Sequence, residues 1–472
     1  MLENSRIESC SQEKSFRNAK ATQRHDYVSR RQPLRPSPGR AAVSMEVIVP
    51  VGVRGALATA LARLRENLNR GDERARRAAL ALSEALLASL KENELSGEER
   101  LLPTERSAIW LARAHACEAA SGHQALEEGL RATAHAIAAC GRPGADAMNE
   151  PDLRRALALA WMNRGNLLQV RAGAGDLDAA VAAYDQAIGA FAGLAAGNDM
   201  AARNSLGAAW LNRGQALQRL GTPADLRAAR TAAECAIAVL VDLPLEGNRW
   251  HRANLAGARV NLANVTLALA AAVAADPQAR RVMLGEACEA ARAARATIAP
   301  LEDSDPVGAE LGLKAWRILA CALGECLAEV DTGVSAKQRR IWADEVSEAV
   351  EGGLGGVARW EDRGVRAFRP LAARLFRLGV QLYRAYQPQF LAEFALEALD
   401  PAQAGSLAKA LAGDAELMAT AEEAITGACR DLRTQHRIDF ESENTSRLLE
   451  TLASLETAAR RLAELRVGSQ VD

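Results

Sequence analysis

A fixed step of 49 residues constrains this chain more than any other feature. Residues 160–188 read AWMNRGNLLQVRAGAGDLDAAVAAYDQAI and residues 209–237 read AWLNRGQALQRLGTPADLRAARTAAECAI, in one ungapped register. Trp161 and Trp210, Asn163 and Asn212, Gly165 and Gly214, and Ala187 and Ala236 all stand 49 apart. A second step reaches Asn261 and Asn264, although Arg259 occupies the place of the tryptophan. A period of about 20 to 50 residues marks an array of stacked units, each unable to bury its apolar face alone.

The unit reads as a helical hairpin. In its first half, Leu157, Trp161 and Leu168 lie on one helical face with Gly165 between them, and Leu159, Asn163, Asn166 and Val170 lie on another. A glycine inside a helix costs about 1 kcal/mol against alanine, so Gly165 is expected where a second helix comes close. The break at 171–175 is followed by Asp176, expected as an N-cap, and by an apolar stripe of Leu177, Ala180, Val181, Tyr184, Ala187, Ile188 and Phe191.

Trp161, Gly165, Leu168, Ala180, Tyr184 and Ala187 resemble the signature of a tetratricopeptide repeat, clearest over residues 157–240. The second copy matches through Trp210, Gly214, Leu217, Ala229 and Ala236, with Ala233 in place of the aromatic residue. The turn is about three residues longer than the family's unit of about 34 allows. The resemblance implies an all-α, right-handed α-solenoid of stacked antiparallel hairpins with capping helices at both ends. It also implies a concave groove that binds a protein or peptide.

Along the chain, residues 1–44 carry nine basic and four acidic side chains without apolar periodicity, and read as a disordered basic tail. That tail is expected to be dispensable, with Met45 a candidate start of translation. Residues 45–100 read as N-terminal capping helices, 101–400 as the repeat array and 401–472 as C-terminal capping helices. Within the array, 103–140 is a degenerate first unit, and 300–306 separates two hairpins. The stretch 351–356, EGGLGG, reads as a flexible break, and 364–399 as a last unit. Two long helices are expected near 401–431 and 440–466. The apolar run 260–275 is 16 residues long and contains Asn261 and Asn264, so it reads as a buried helix rather than a membrane span.

Formal net charge is −1, which gives no electrostatic case for nucleic acid. The eight cysteines are scattered without a C-x-x-C pair and read as small core residues of a cytoplasmic protein. His115, His123 and His135 fall in one hairpin without metal-ligand spacing. No phosphate loop, dinucleotide fingerprint, zinc-protease motif or nucleophile elbow occurs, so neither an enzyme activity nor a cofactor is expected.

The feature with functional content is a recurring polar stripe: Asn163, Asn166, Asn212, Gln215, Asn261 and Asn264, extended one turn by Arg219. Asparagine is a poor helix former, so its return at each unit needs a reason. Two roles fit. The amides either join successive A helices as a ladder or, as the resemblance implies, hydrogen-bond an extended ligand in the groove; the sequence leaves both open. A carboxylate clamp of the family's lysine type is disfavoured, because Leu159, Met162, Ala208 and Leu211 are apolar. Arg164 and Arg213 are expected to pack their stems and pair with carboxylates, and the tryptophans to form inter-helix core. The leading expectation is a non-enzymatic scaffold binding a protein or peptide, in an oligomeric state the sequence does not fix. The alternative is an all-α enzyme or sensor module with a small-molecule site inside the array.

Overall fold

The computed structural model describes residues 55–70, 73–96, 103–120, 122–141, 150–196, 199–329, 334–399, 401–438 and 445–468. The basic tail at 1–44, and the expectation of its disorder, lie outside them. Among the described residues the regular structure is helical, without a strand. The helices are α1 (Gly55–Arg70), α2 (Glu73–Ser96), α3 (Pro103–Ala120), α4 (His123–Cys140), α5 (Pro151–Arg171) and α6 (Asp176–Ala195). Then come α7 (Met200–Leu220), α8 (Pro223–Leu240), α9 (Arg249–Ala272), α10 (Pro277–Glu302), α11 (Pro306–Ala328) and α12 (Ala336–Asp362). The chain ends with α13 (Arg369–Tyr386), α14 (Leu391–Leu399), α15 (Pro401–Ala412), α16 (Ala415–Ile438) and α17 (Thr445–Gly468).

Local chemistry sets most of the boundaries. Thr222-Pro223, Asp276-Pro277 and Asp305-Pro306 each place a capping side chain before a proline in the first helical position, where the missing N–H removes no bond. Thr222 and Asp225 form a full capping box. Asp199, Asn248 and Ser335 cap α7, α9 and α12 in the same way. Asp176 is a correction: Gly175 is the N-cap of α6, and Asp176 instead turns back to Arg171.

Each helix from α1 to α13 packs against the next, and each odd-numbered helix also meets the next odd one. No comparable contact joins α4 to α6, α6 to α8, α8 to α10 or α10 to α12. The even row is instead spanned by long side chains. Arg230 of α8 reaches Glu286 of α10 at 2.9 Å, and Arg292 of α10 grips Glu345 of α12 through two bonds of 2.6 and 2.7 Å. In a two-layer array the more closely spaced row lies inside the bend, so the odd-numbered helices form the inner row. The molecule is an all-α solenoid of stacked antiparallel hairpins.

Close approach depends on small residues. A Cβ added to Gly165 would lie 2.6 Å from the Tyr184 ring, so α5 and α6 meet at that glycine as the hairpin pattern requires. Trp316 is buried, whereas Trp110, Trp161 and Trp210 are half-buried between helices.

Three expectations are corrected beyond α9. Residues 351–356 are not a break but lie within α12, where Gly352 faces Trp316, Gly353 faces Leu375 and Gly356 faces Leu313. Packing of α12 into its neighbours overrides the low helix propensity of its glycines. The separator expected at 300–306 shortens to 303–305, because α10 runs through Pro300 to Glu302. The helix expected at 401–431 is two, divided at Gly413, with Asp414 accepting the N–H groups of Glu416 and Leu417.

At the C-terminal end the stacking order changes. Helix α16 packs on α13, and α17 on α14. Leu455, Ala458 and Leu462 of α17 enter the large apolar cluster that begins in α9. Helix α9 is long and apolar enough to cross a membrane by length and composition, but it is a core helix packed between α7, α8, α10 and α11.

Candidate functional site

The polar stripe runs along the inner row, and its side chains divide by depth. Asn163, Asn212 and Asn261, the first position in each copy, are buried, Asn212 completely. Asn166, Gln215 and Asn264, one turn on, are half-buried, and Arg219 is exposed.

The buried members join neighbouring odd-numbered helices. His115 Nε2 of α3 donates to Asn163 Oδ1 of α5 at 2.8 Å, and the Asn163 amide donates back to Leu159 O at 3.0 Å. Asn212 Nδ2 of α7 donates to Asn166 Oδ1 of α5 at 3.2 Å. Asn261 Nδ2 of α9 donates to Leu211 O of α7 at 3.3 Å. A third position completes the rungs: Gln169 donates to Asn212 O at 2.9 Å, and Gln218, 49 residues on, to Asn261 O at 3.0 Å. Asn264 donates to Gln218 Oε1 at 3.4 Å, and Arg317 of α11 donates to Asn264 Oδ1 at 3.5 Å. Arg219 donates to Gln169 O at 2.8 Å.

These bonds form a ladder of side chains from α3 to α11. Each satisfied amide stabilises by roughly 0.5–1.5 kcal/mol, and an orphaned buried partner costs more, about 1–3 kcal/mol. Burial therefore withdraws Asn163, Asn212 and Asn261 from the surface. Asn166 also departs from a purely inter-unit role, because it accepts from Tyr184 OH of its own hairpin at 2.9 Å. Gln215, Asn264 and Arg219 keep exposed surface on the same row, beside half-buried Arg317.

Sequence reasoning missed His115, Gln169, Gln218 and Arg317 as members of this network. Gln169 and Gln218 carried a signal, being 49 apart and one turn beyond Asn166 and Gln215. His115 and Arg317 lie where the spacing drifts, so the period does not point to them. A further buried rung, Asn254 Nδ2 to Asn204 Oδ1 at 3.0 Å, also follows a near-repeat step.

The other arginines serve packing. Arg213 pairs with Asp185 at 2.7 Å and lies over the Trp210 ring, and Arg164 reaches Leu130 O at 3.5 Å. Arg259, at the tryptophan position of the third copy, donates to Thr297 and to Ala293 O of α10, and burial lowers its hold on the proton.

Two shallow clefts, each with a cavity of about 10 Å³ and so room for about one water molecule, lie at α10–α12 and α11–α13. The first is walled by Trp316, Trp360 and Glu302, whose carboxyl burial holds above its ordinary range. Both are smaller than ligand sites of about 300–1,000 Å³. Among the described residues, no group of three or more His, Cys, Asp and Glu is placed to hold a metal ion.

No protein-family model matches the chain, and no curated protein matches it. Among solved structures, a circular tandem repeat protein with novel repeat topology and enhanced subunit contact surfaces aligns over 88% of this chain and 98% of its own. The pair share 15% identity with a TM-score of 0.28, and the solenoid described above rests on this chain's own helices.

Proposed function

We propose that the chain is a non-enzymatic scaffold that holds a protein or peptide partner along its inner row of helices. The observation that carries the reading is the division of the polar stripe. Its deep members tie the helices together, while Gln215 and Asn264, with Arg219 one turn on, keep polar surface along consecutive units. A rigid row with polar groups at repeat spacing suits an extended partner, whose own repeat of backbone amides would run along it. Membership of the tetratricopeptide class, a cytoplasmic location, and independence from nucleic acid, membrane and cofactor belong to the same reading.

The test is affinity capture with the full chain, followed by calorimetric titration of what is recovered. Replacing Gln215 and Arg219 together by Ala should weaken that binding by about 1–3 kcal/mol while the protein stays folded. Failure to capture a saturable partner, or an affinity untouched by the double change, would count against the scaffold reading.

A further inference from the structure

The two rows of the solenoid are held along their length by interactions of different kinds. Successive inner helices pack on one another and are tied by neutral side chains. Asn212 donates to Asn166, Asn261 to the Leu211 carbonyl, Gln169 to the Asn212 carbonyl and Gln218 to the Asn261 carbonyl. Dissolved salt hardly acts on such bonds, because neither partner carries a net charge.

Among the described residues, the outer helices α8, α10 and α12 make no comparable packing with one another. Ion pairs span them instead: Arg230 to Glu286 at 2.9 Å, Arg292 to Glu345 at 2.6 and 2.7 Å, and Arg295 to Glu348 at 4.0 Å. Arg359 of α12 adds a pair with Asp303 at 2.9 Å, just past the end of α10. A neutral bond, Trp360 Nε1 to the Glu302 carbonyl at 2.9 Å, also joins α12 to α10. It lies in the last turn of α10, whereas Arg292 and Glu345 lie well inside their helices, so it acts as a pivot. The ion pairs all keep exposed surface, and salt therefore weakens them. Each is weak beside the packing of a core. Along the outer row, however, little packing competes with them, so they bear on the bend of the array rather than on whether it folds.

We propose that these pairs are clasps through which ionic strength tunes the bend of the solenoid. Closed clasps draw α8, α10 and α12 toward one another and straighten the array. When salt screens them, the outer row spreads while the amide ladder keeps the inner row at its spacing. The array then curls toward its inner side and its two ends approach. The inner face, with Gln215 and Asn264 on it, becomes more concave. Arg292 is the stronger clasp on α10, because it grips its carboxylate through two bonds, whereas Arg295 stands farther from Glu348 and lies over the Trp316 ring.

The experiment records small-angle X-ray scattering of the full chain, without any partner, from about 0.01 M to about 1 M sodium chloride. Over that range the screening length falls from about 30 Å to about 3 Å. The comparison protein carries Glu286→Gln and Glu345→Gln, which keep side-chain size and remove the charge. Segments common to both proteins cancel in the difference. The native radius of gyration should exceed that of the variant at low salt, and the two should converge at high salt. Arg230→Met with Arg292→Met opens the same clasps from their other ends and should behave alike. Thermal midpoints by circular dichroism identify the folded variants, and either one decides the comparison. Equal radii at low salt, a larger radius in the variant, or a gap that persists at about 1 M would each overturn the proposal. With no partner present, none of these results bears on the partner reading.

Discussion

Gly165 faces Tyr184 so closely that the ring occupies the space of a side chain, whereas the equivalent Gly214 faces Ala229 O and the Ala232 side chain and keeps room. A Cβ on Gly165 would stand 2.6 Å from the ring; one on Gly214 meets nothing closer than Ala229 O at 3.4 Å. Gly165→Ala is therefore expected to destabilise the fold by about 1–3 kcal/mol through overpacking. Gly214→Ala should be neutral or stabilising by up to about 1 kcal/mol, since it gains helix propensity. Urea unfolding of the two variants checks this, and equal losses would show that the repeats are packed alike.

Ala172 ends α5 in the left-handed region at φ 51°, and Gly221 ends α7 at the same repeat position with φ 76°. An L-residue pays about 1–2 kcal/mol for that conformation, part of which glycine gives back as chain entropy in the unfolded state. Ala172→Gly should thus raise stability by up to about 1 kcal/mol. A fall in the urea midpoint would contradict the reading of the cap.

Asp176 accepts two bonds from Arg171, at 2.8 and 2.5 Å, and one from the Gly173 N–H at 2.7 Å. The Arg171 guanidinium is the main reason its carboxyl titrates below the ordinary value. A carboxyl depressed in the folded state adds stability that is present above its unfolded pKa, roughly 3.9. That contribution disappears as pH falls through the lower, folded value. Asp176→Asn should cost about 1.5–3 kcal/mol at pH 7, and the gap to the native chain should narrow below about pH 4. A gap constant from neutral to acid pH would remove Asp176 from the account.

Much of the architecture was legible because the period and the caps are local signals. Thr222-Pro223 and Asp305-Pro306 announce helix starts whatever surrounds them. The close approach at Gly165 was legible for the same reason, since a glycine inside a strong helical stripe demands a neighbour. Depth was not legible. Asn212 and Gln215 lie three residues apart on adjoining faces, and only the placement of α5 and α9 decides that one is buried and the other half-exposed. The helicity of 351–356 was hidden for a related reason, because Trp316 and Leu375 lie far from those glycines in sequence.

The most direct test of the central claim compares stability and partner affinity in the same two proteins, Asn212→Ala and the double variant with Gln215→Ala and Arg219→Ala. Asn212→Ala deletes the donor to Asn166 and should lower unfolding free energy by about 1–3 kcal/mol, leaving affinity per folded molecule unchanged. The double variant should do the reverse, losing affinity while stability falls by no more than about 1 kcal/mol, the share of the exposed bond from Arg219 to Gln169 O. An Asn212→Ala protein that folds as firmly as the native chain yet has lost its partner would contradict the division of the row into ladder and binding surface.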